Sequence, residues 1–183
     1  MPCVKLETAR LKLRLPEMED MKAVLPLIGD YDVAKNLSRA PHPYAAEDWR
    51  EHVARMNEGF ARGTDFSFLV VRKSDGAVMG KCGVHLLEGR PFELGYWLGK
   101  PYWGDGFATE AARRVAAFTF HDLTVETLMA GWFEDNPASG RVLEKLGFVT
   151  TGTESRDCKA RGAPVNCRMM RLAREDFGRR KAA

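Results

Sequence analysis

Residues 66–98 constrain the fold more than any other stretch, because they alternate three extended runs with two tight turns. Residues 66–72 read as a strand, Ser74-Asp75-Gly76 as a hairpin turn, and residues 77–87 as a returning strand that carries Gly80 and Gly83. Glu88-Gly89-Arg90-Pro91 turns the chain again into residues 92–98. Three consecutive strands joined this tightly form an antiparallel meander. A sheet that is mostly antiparallel must then sit at the centre of the fold.

The flanking pattern supplies the rest. Leu11-Lys12-Leu13-Arg14-Leu15 alternates as a half-buried strand does. Met18, Met21, Leu25 and Ile28 recur at helical spacing before Gly29, with Pro26 expected to kink the last turn. Pro41 and Pro43 mark a loop, and Trp49, Val53, Met56 and Phe60 form one face of a second helix ending at Gly63. After the meander comes a loop over residues 99–106, then a helix to about Asp122 with Ala111, Val115 and Phe118 inward. Residues 125–133 read as a strand. Asn136 caps the next helix, Pro137 takes its first position, and Gly147 ends it, with Phe148 able to fold back on Leu143. Residues 148–154 and 165–172 read as a final antiparallel pair around a polar loop. The order β-α-α-β-β-β-α-β-α-β-β predicts an α+β domain: a mixed sheet of about seven strands flanked by four helices, not a doubly wound fold. Residues 1–183 read as a single domain, with 176–183, including Arg179-Arg180-Lys181, expected to fray.

Composition removes several function classes. Lys+Arg number 28 against 25 Asp+Glu, a net charge of +3, and the basic residues are scattered. That is too mild a bias for nucleic acid or anionic lipid, though it suits an anionic small ligand. The four cysteines (Cys3, Cys82, Cys158, Cys167) lack C-x-x-C spacing, and with only four histidines no metal site is expected. No apolar run approaches the roughly 18 residues of a membrane span. The N-terminus lacks the apolar core of a signal peptide. A soluble protein of a reducing, cytoplasmic compartment is expected.

Chemistry concentrates in Tyr102-Trp103-Gly104-Asp105-Gly106-Phe107-Ala108-Thr109. Glycines opening a helix leave backbone N–H groups free at the positive end of the helix dipole, where phosphate binds. A P-loop would need Lys-Ser or Lys-Thr after its last glycine, and none stands there. The dinucleotide pattern G-x-G-x-x-G fails at Thr109. A purely structural turn, letting Ala108, Ala111 and Ala112 bring the helix close to the sheet, stays open.

Together with Glu93-Leu94-Gly95-Tyr96-Trp97-Leu98, Asn136-Pro137-x-Ser139 and Glu144-Lys145-Leu146-Gly147-Phe148, this segment resembles the GNAT N-acetyltransferases, in their RimJ/RimL-like branch. Thr8-Ala9-Arg10-Leu11-x-Leu13-Arg14 and Pro43-Tyr44 resemble the same branch. The resemblance spans essentially the whole domain. It implies acetyl-CoA as co-substrate, with the pyrophosphate on N–H groups from Gly104 through Gly106, Phe107 and Ala108 to Thr109. It also implies a splay after the strand of residues 92–98, which exposes the backbone around Gly95, Trp97 and Leu98 to pantetheine and places the acetyl group beside it. Trp103 stands where many members carry Gln or Arg, although Trp is usual in this branch. Asp105 replaces a basic or amide residue, and implies weaker CoA binding if its carboxylate faces the diphosphate.

The same resemblance nominates the acid and base. Asn136 serves both as helix cap and near the pantetheine arm. Ser139 either protonates the departing thiolate or bonds back toward Asn136. Glu93 is either the general base or a carboxylate paired across the sheet, with His85 its understudy. Arg141 and Lys145 either reach the adenosine 3′-phosphate or face water. The function implied is direct acetyl transfer to a primary amine of a protein or peptide N-terminus, ribosomal proteins among them, by a monomer or homodimer. A polyamine, amino acid or aminoglycoside acceptor, and a silent acyl-CoA-binding module, are the alternatives.

Overall fold

In the computed structural model, residues 4–86 and 89–178 are described, and eight strands join into one sheet. The chain opens with β1 (Leu6–Glu7) against β2 (Leu11–Arg14), whose Leu11 and Leu13 point into the core while Lys12 and Arg14 do not. Strand β1 is the eighth strand, and two residues are too few to show a period in sequence. The expected first helix divides. A 3-10 turn at Met18–Asp20 comes first, because the Asp20 carboxylate accepts the Glu17 N–H and is gripped by Arg14. Helix α1 (Met21–Ile28) follows, with Pro26 inside it. A one-turn helix, α2 (Tyr31–Ala34), was not expected; Asp30 caps it by accepting the Asp32 N–H at 2.8 Å. Helix α3 (Ala46–Arg62) then ends at Gly63 in the left-handed conformation.

The meander consists of β3 (Asp65–Arg72), β4 (Val78–Leu86) and β5 (Phe92–Leu98), all antiparallel. Leu87, expected to end the second strand of the meander, and Glu88, expected to open the second turn, lie outside the described residues. Next come α4 (Phe107–His121), β6 (Thr127–Phe133), α5 (Pro137–Leu146), β7 (Val149–Cys158) and β8 (Ala163–Ala173). The sheet order is β1-β2-β3-β4-β5-β6-β8-β7, with β5 and β6 its one parallel pair among the described residues. The last hairpin corrects the expected polar loop: both strands run on until a short turn at Lys159–Arg161. Strand β7 is polar on both faces, so alternation could not mark it. Its extension puts Arg156 on a strand.

Helices α4 and α5 cover one face of the sheet over Phe68, Met79, Val84 and Leu128, and Ala111, Ala112 and Ala116 let α4 approach closely. Helices α1 and α3 cover part of the other, where Trp49, Val53 and Met56 meet Leu69 and Trp97. Phe148 is buried with Leu143, its N–H bonded to the Leu143 carbonyl as the helix end predicts. Of the expected frayed tail, Phe177 packs its ring 5.2 Å from that of Phe120, and residues 179–183 lie outside the described set. Within the described residues no helix is long and apolar enough to cross a membrane.

Candidate active site

Strands β5 and β6 part company halfway. Their pairing stops at Leu94 and Ala130, yet β5 stays paired to β4 as far as Leu98. The Gly99 N–H donates to Met79 on the β4 side at 2.8 Å, so alternation turns the Tyr96 and Leu98 N–H groups toward the gap. A cavity of about 1350 Å³ passes through this gap, and each of its two ends has its own chemistry.

At one end lies the glycine loop. Gly104 and Gly106 hold φ of +91° and +79°, conformations that suit glycine. A Cβ on Gly104 would meet nothing within 4 Å, and one on Gly106 only Arg10 Nη2 at 3.7 Å, so the space over these amides is open. Trp103 closes the loop onto the sheet by donating its indole N–H to the Leu98 carbonyl at 2.7 Å. Asp105 is exposed, and its carbonyl accepts from Arg10 at 3.1 Å. Arg10 also stacks on Phe107 and pairs with Glu110, which Thr8 joins through its hydroxyl. The Thr8-x-Arg10 pair therefore fixes the first turn of α4 and the loop before it.

The second feature is the N-terminus of α5. The Asn136 side chain accepts the Ser139 N–H at 3.4 Å, which makes Asn136 the cap. The Ser139 hydroxyl is free of that duty and lies 3.0 Å from the Tyr96 hydroxyl. Burial pushes the Tyr96 phenol above its usual range, so it is neutral.

The other end of the cavity lies under α3. Its floor is bare at Gly95 of β5, where a Cβ would meet nothing within 4 Å, while the β4 partner Gly83 is packed against Ser67 of β3. Glu93 is buried, and both of its oxygens accept from Arg156, at 2.5 and 2.8 Å; Arg156 also pairs with Glu154. His85 stands across from Glu93, its pKa drawn down to about 4 by burial and by Arg39. Lys81 reaches His52 of α3, Nζ to Nε2 3.0 Å, and His52 Nδ1 lies 3.2 Å from Arg55. Burial and the neighbouring basic groups Lys81, Arg55 and Arg39 lower the His52 pKa to about 2. No group of three or more His, Cys, Asp and Glu among the described residues is placed to hold a metal.

This architecture recurs among known proteins. Residues 10–149 match the acetyltransferase (GNAT) domain family. The chain belongs to the GNAT acetyltransferases. It is 29% identical over 175 residues to a Bacillus licheniformis protein named as the uncharacterized N-acetyltransferase p20, covering 94% of this chain and 97% of that one. A ribosomal-protein-S5-alanine acetyltransferase from Vibrio fischeri shares the fold, with TM-score 0.80, 21% identity and coverage of 96% and 100%. So does Mycobacterium smegmatis RimJ, solved in complex with a CoA-disulfide, with TM-score 0.81, 19% identity and coverage of 97% and 89%.

In this GNAT domain one cavity gathers every nominated side chain: Glu93, Trp97, Leu98, Trp103, Gly104, Gly106, Phe107, Ala108, Thr109, Asn136 and Ser139, with His85, Arg141 and Lys145. The Trp97 side chain packs with the α1 and α3 cluster, and the residue also lines the cavity. Three residues escaped the sequence reading. Tyr96 stood within a quoted motif, but its tie to Ser139 depends on how α5 docks. Arg156 lay in an expected loop. Lys81, between Gly80 and Cys82, carries no local sign that a helix will cover it.

Proposed function

We propose that the protein moves an acetyl group from acetyl-CoA directly to a primary amine, the N-terminus of a protein or peptide. The observation that carries this reading is the β5–β6 gap, which joins an amide-lined anion cradle to a separate acceptor chamber through one cavity. The residues present fit the co-substrate: the cradle is open over Gly104 and Gly106, and the first turn of α4 offers unpaired amides to a diphosphate. Acetyl-CoA supplies the thioester, whose carbonyl is polarised by a backbone N–H at the gap; the Tyr96 N–H is oriented for it. The Ser139 hydroxyl, backed by Tyr96, donates a proton to the departing sulfur. Asp105 does not oppose the diphosphate in this reading, since it is exposed to solvent.

Direct transfer is supported by the cysteines among the described residues, none of which is placed to carry the acetyl group. Cys82, Cys158 and Cys167 are all buried, and none of them lines the cavity. Arg39 and Arg55 stand in the acceptor chamber beside Asp48, Glu51 and Asp65, and the likeness to RimJ and to a ribosomal-protein-S5-alanine acetyltransferase supports a peptide N-terminus as the acceptor. The experiment is a comparison of acetyl-CoA turnover with peptides of varied N-terminal sequence, polyamines, amino acids and aminoglycosides, with products identified by mass. Faster turnover of a polyamine or aminoglycoside than of any peptide would overturn the acceptor assignment.

A further inference from the structure

Direct transfer to an amine that is cationic in water needs a proton acceptor, and strand register locates the candidates. Gly83 and Gly95 are partners across β4 and β5. Side chains two residues apart share a face of a strand, so Lys81 and His85 flank Gly83 while Glu93 and Trp97 flank Gly95. Three titratable groups therefore border the bare floor beside the gap. Glu93 has both oxygens engaged by Arg156. His85 is a neutral imidazole of weakened basicity. The Lys81 amine remains.

Its contacts bias its protonation state. Arg55 can only donate, so His52 Nδ1, 3.2 Å away, must accept. A neutral imidazole with its lone pair at Nδ1 carries its hydrogen on Nε2. That hydrogen points at Lys81 Nζ, 3.0 Å away, which must then offer a lone pair. An ammonium has none. The network thus favours the free-amine form of Lys81, which His52 stabilises against the ammonium.

We propose that Lys81 is the general base of the transfer and that His52 is the residue that positions it as an amine. The inference rests on the direct-transfer reading above. The Lys81 amino group turns its lone pair from His52 to the acceptor ammonium and takes one proton from it. The freed amine pair forms the C–N bond as the C–S bond breaks, the thiolate takes a proton from Ser139, and the second proton that the nitrogen sheds on becoming an amide restores the Ser139 hydroxyl. The Lys81 ammonium returns its proton to water through the open cavity once the amide has left.

The surroundings agree. Asp65 faces Lys81 from β3, His85 and Cys82 come from β4, His52 and Arg55 from α3, and Arg39 from the loop before α3. Burial, then Arg39 and Arg55, draw the lysine down to about 8 against the pull of Asp65. An α-amine has a pKa of about 7.7–8.0, so proton transfer between the two is nearly balanced, the condition under which general-base catalysis works well.

The test is the pH dependence of kcat/KM with one peptide acceptor, beside CoA affinity measured by titration. The wild-type profile should rise with an inflection near pH 8. Lys81→Met and Lys81→Arg should lose about 10²- to 10⁴-fold at neutral pH and lose the inflection, with CoA affinity kept. The arginine keeps length and charge but cannot shed its proton, so it separates loss of the base from loss of the fold. Arg55→Met frees His52 Nδ1 to carry the hydrogen and removes a cation, and should move the inflection to higher pH. An unchanged profile in the Lys81 variants would overturn the base assignment alone. An inflection unmoved in Arg55→Met would overturn the role of His52. Failure of the wild-type protein to acetylate any amine would overturn the transferase reading together with the base.

Discussion

The Tyr96 hydroxyl donates its one hydrogen to the Ser139 backbone carbonyl at 2.8 Å, and so turns only lone pairs toward the Ser139 Oγ, 3.0 Å away. The Ser139 hydroxyl is thereby the donor of the pair, with a hydrogen it can redirect to a sulfur arriving at the α5 N-terminus. Because Asn136 carries the helix cap, the cap and the proton donation proposed for Ser139 reside on different residues. Ser139→Ala should lower kcat about 10²-fold and leave the melting temperature near that of the wild type. Asn136→Ala should cost about 1 kcal/mol of stability. Thermal melts and turnover on the same preparations read both. Loss of stability without loss of turnover in Ser139→Ala would return that hydroxyl to a structural role.

Gly95 separates acceptor binding from the diphosphate cradle. Its backbone is not in the left-handed region, and an added Cβ meets nothing within 4 Å, so a side chain there costs the fold little. What it fills is the bare floor of the acceptor chamber. Gly95→Val should raise the acceptor KM or abolish turnover while the melting temperature and CoA affinity stay near wild type. Normal kinetics in this variant would mean that the acceptor enters by another route.

How much of this was legible in sequence depends on how local each signal is. The meander and α5 were readable because turns, caps and alternation lie within a few residues of what they specify. The glycine loop was readable for the same reason. Strand β7 was not, since its faces are both polar and only β8 tells it to extend. Glu93 was read as either a base or a paired carboxylate, and its partner Arg156 lies 63 residues away in sequence. Lys81 shows the limit most plainly: its burial comes from α3 folding over β4, and nothing beside it in sequence announces that. The resemblance carried by Thr8 and Arg10 was visible, but its physical reason, the hold on Glu110, was not.

Glu93 and Arg156 should behave as a structural unit. Removing one partner of a buried ion pair leaves the other charge uncompensated, at a cost of about 3–5 kcal/mol. Arg156 retains Glu154 after Glu93→Gln, which places this variant at or below the lower end of that range. The expected result is a lowered melting temperature with the inflection of the pH–rate profile in its wild-type position. A melting temperature unchanged, together with a lost inflection, would make Glu93 the base instead.

The two buried histidines predict how the protein responds to acid. An unfolded histidine takes up a proton near pH 6.5, whereas burial and nearby cations hold folded His85 neutral down to about 4 and folded His52 down to about 2. Between those limits the unfolded chain binds more protons than the native one, so stability rises with pH and is lost as pH falls. Each histidine contributes up to about 1.4 kcal/mol of destabilisation per pH unit while only its unfolded form is protonated. Most carboxylates titrate lower, near 4, so the interval from about pH 6 to 4.5 isolates the histidines. Melting temperatures recorded across that interval should fall in the wild type and fall less steeply in a His52→Gln, His85→Gln double variant. Equal slopes in the two proteins would mean that both imidazoles accept protons in the folded state.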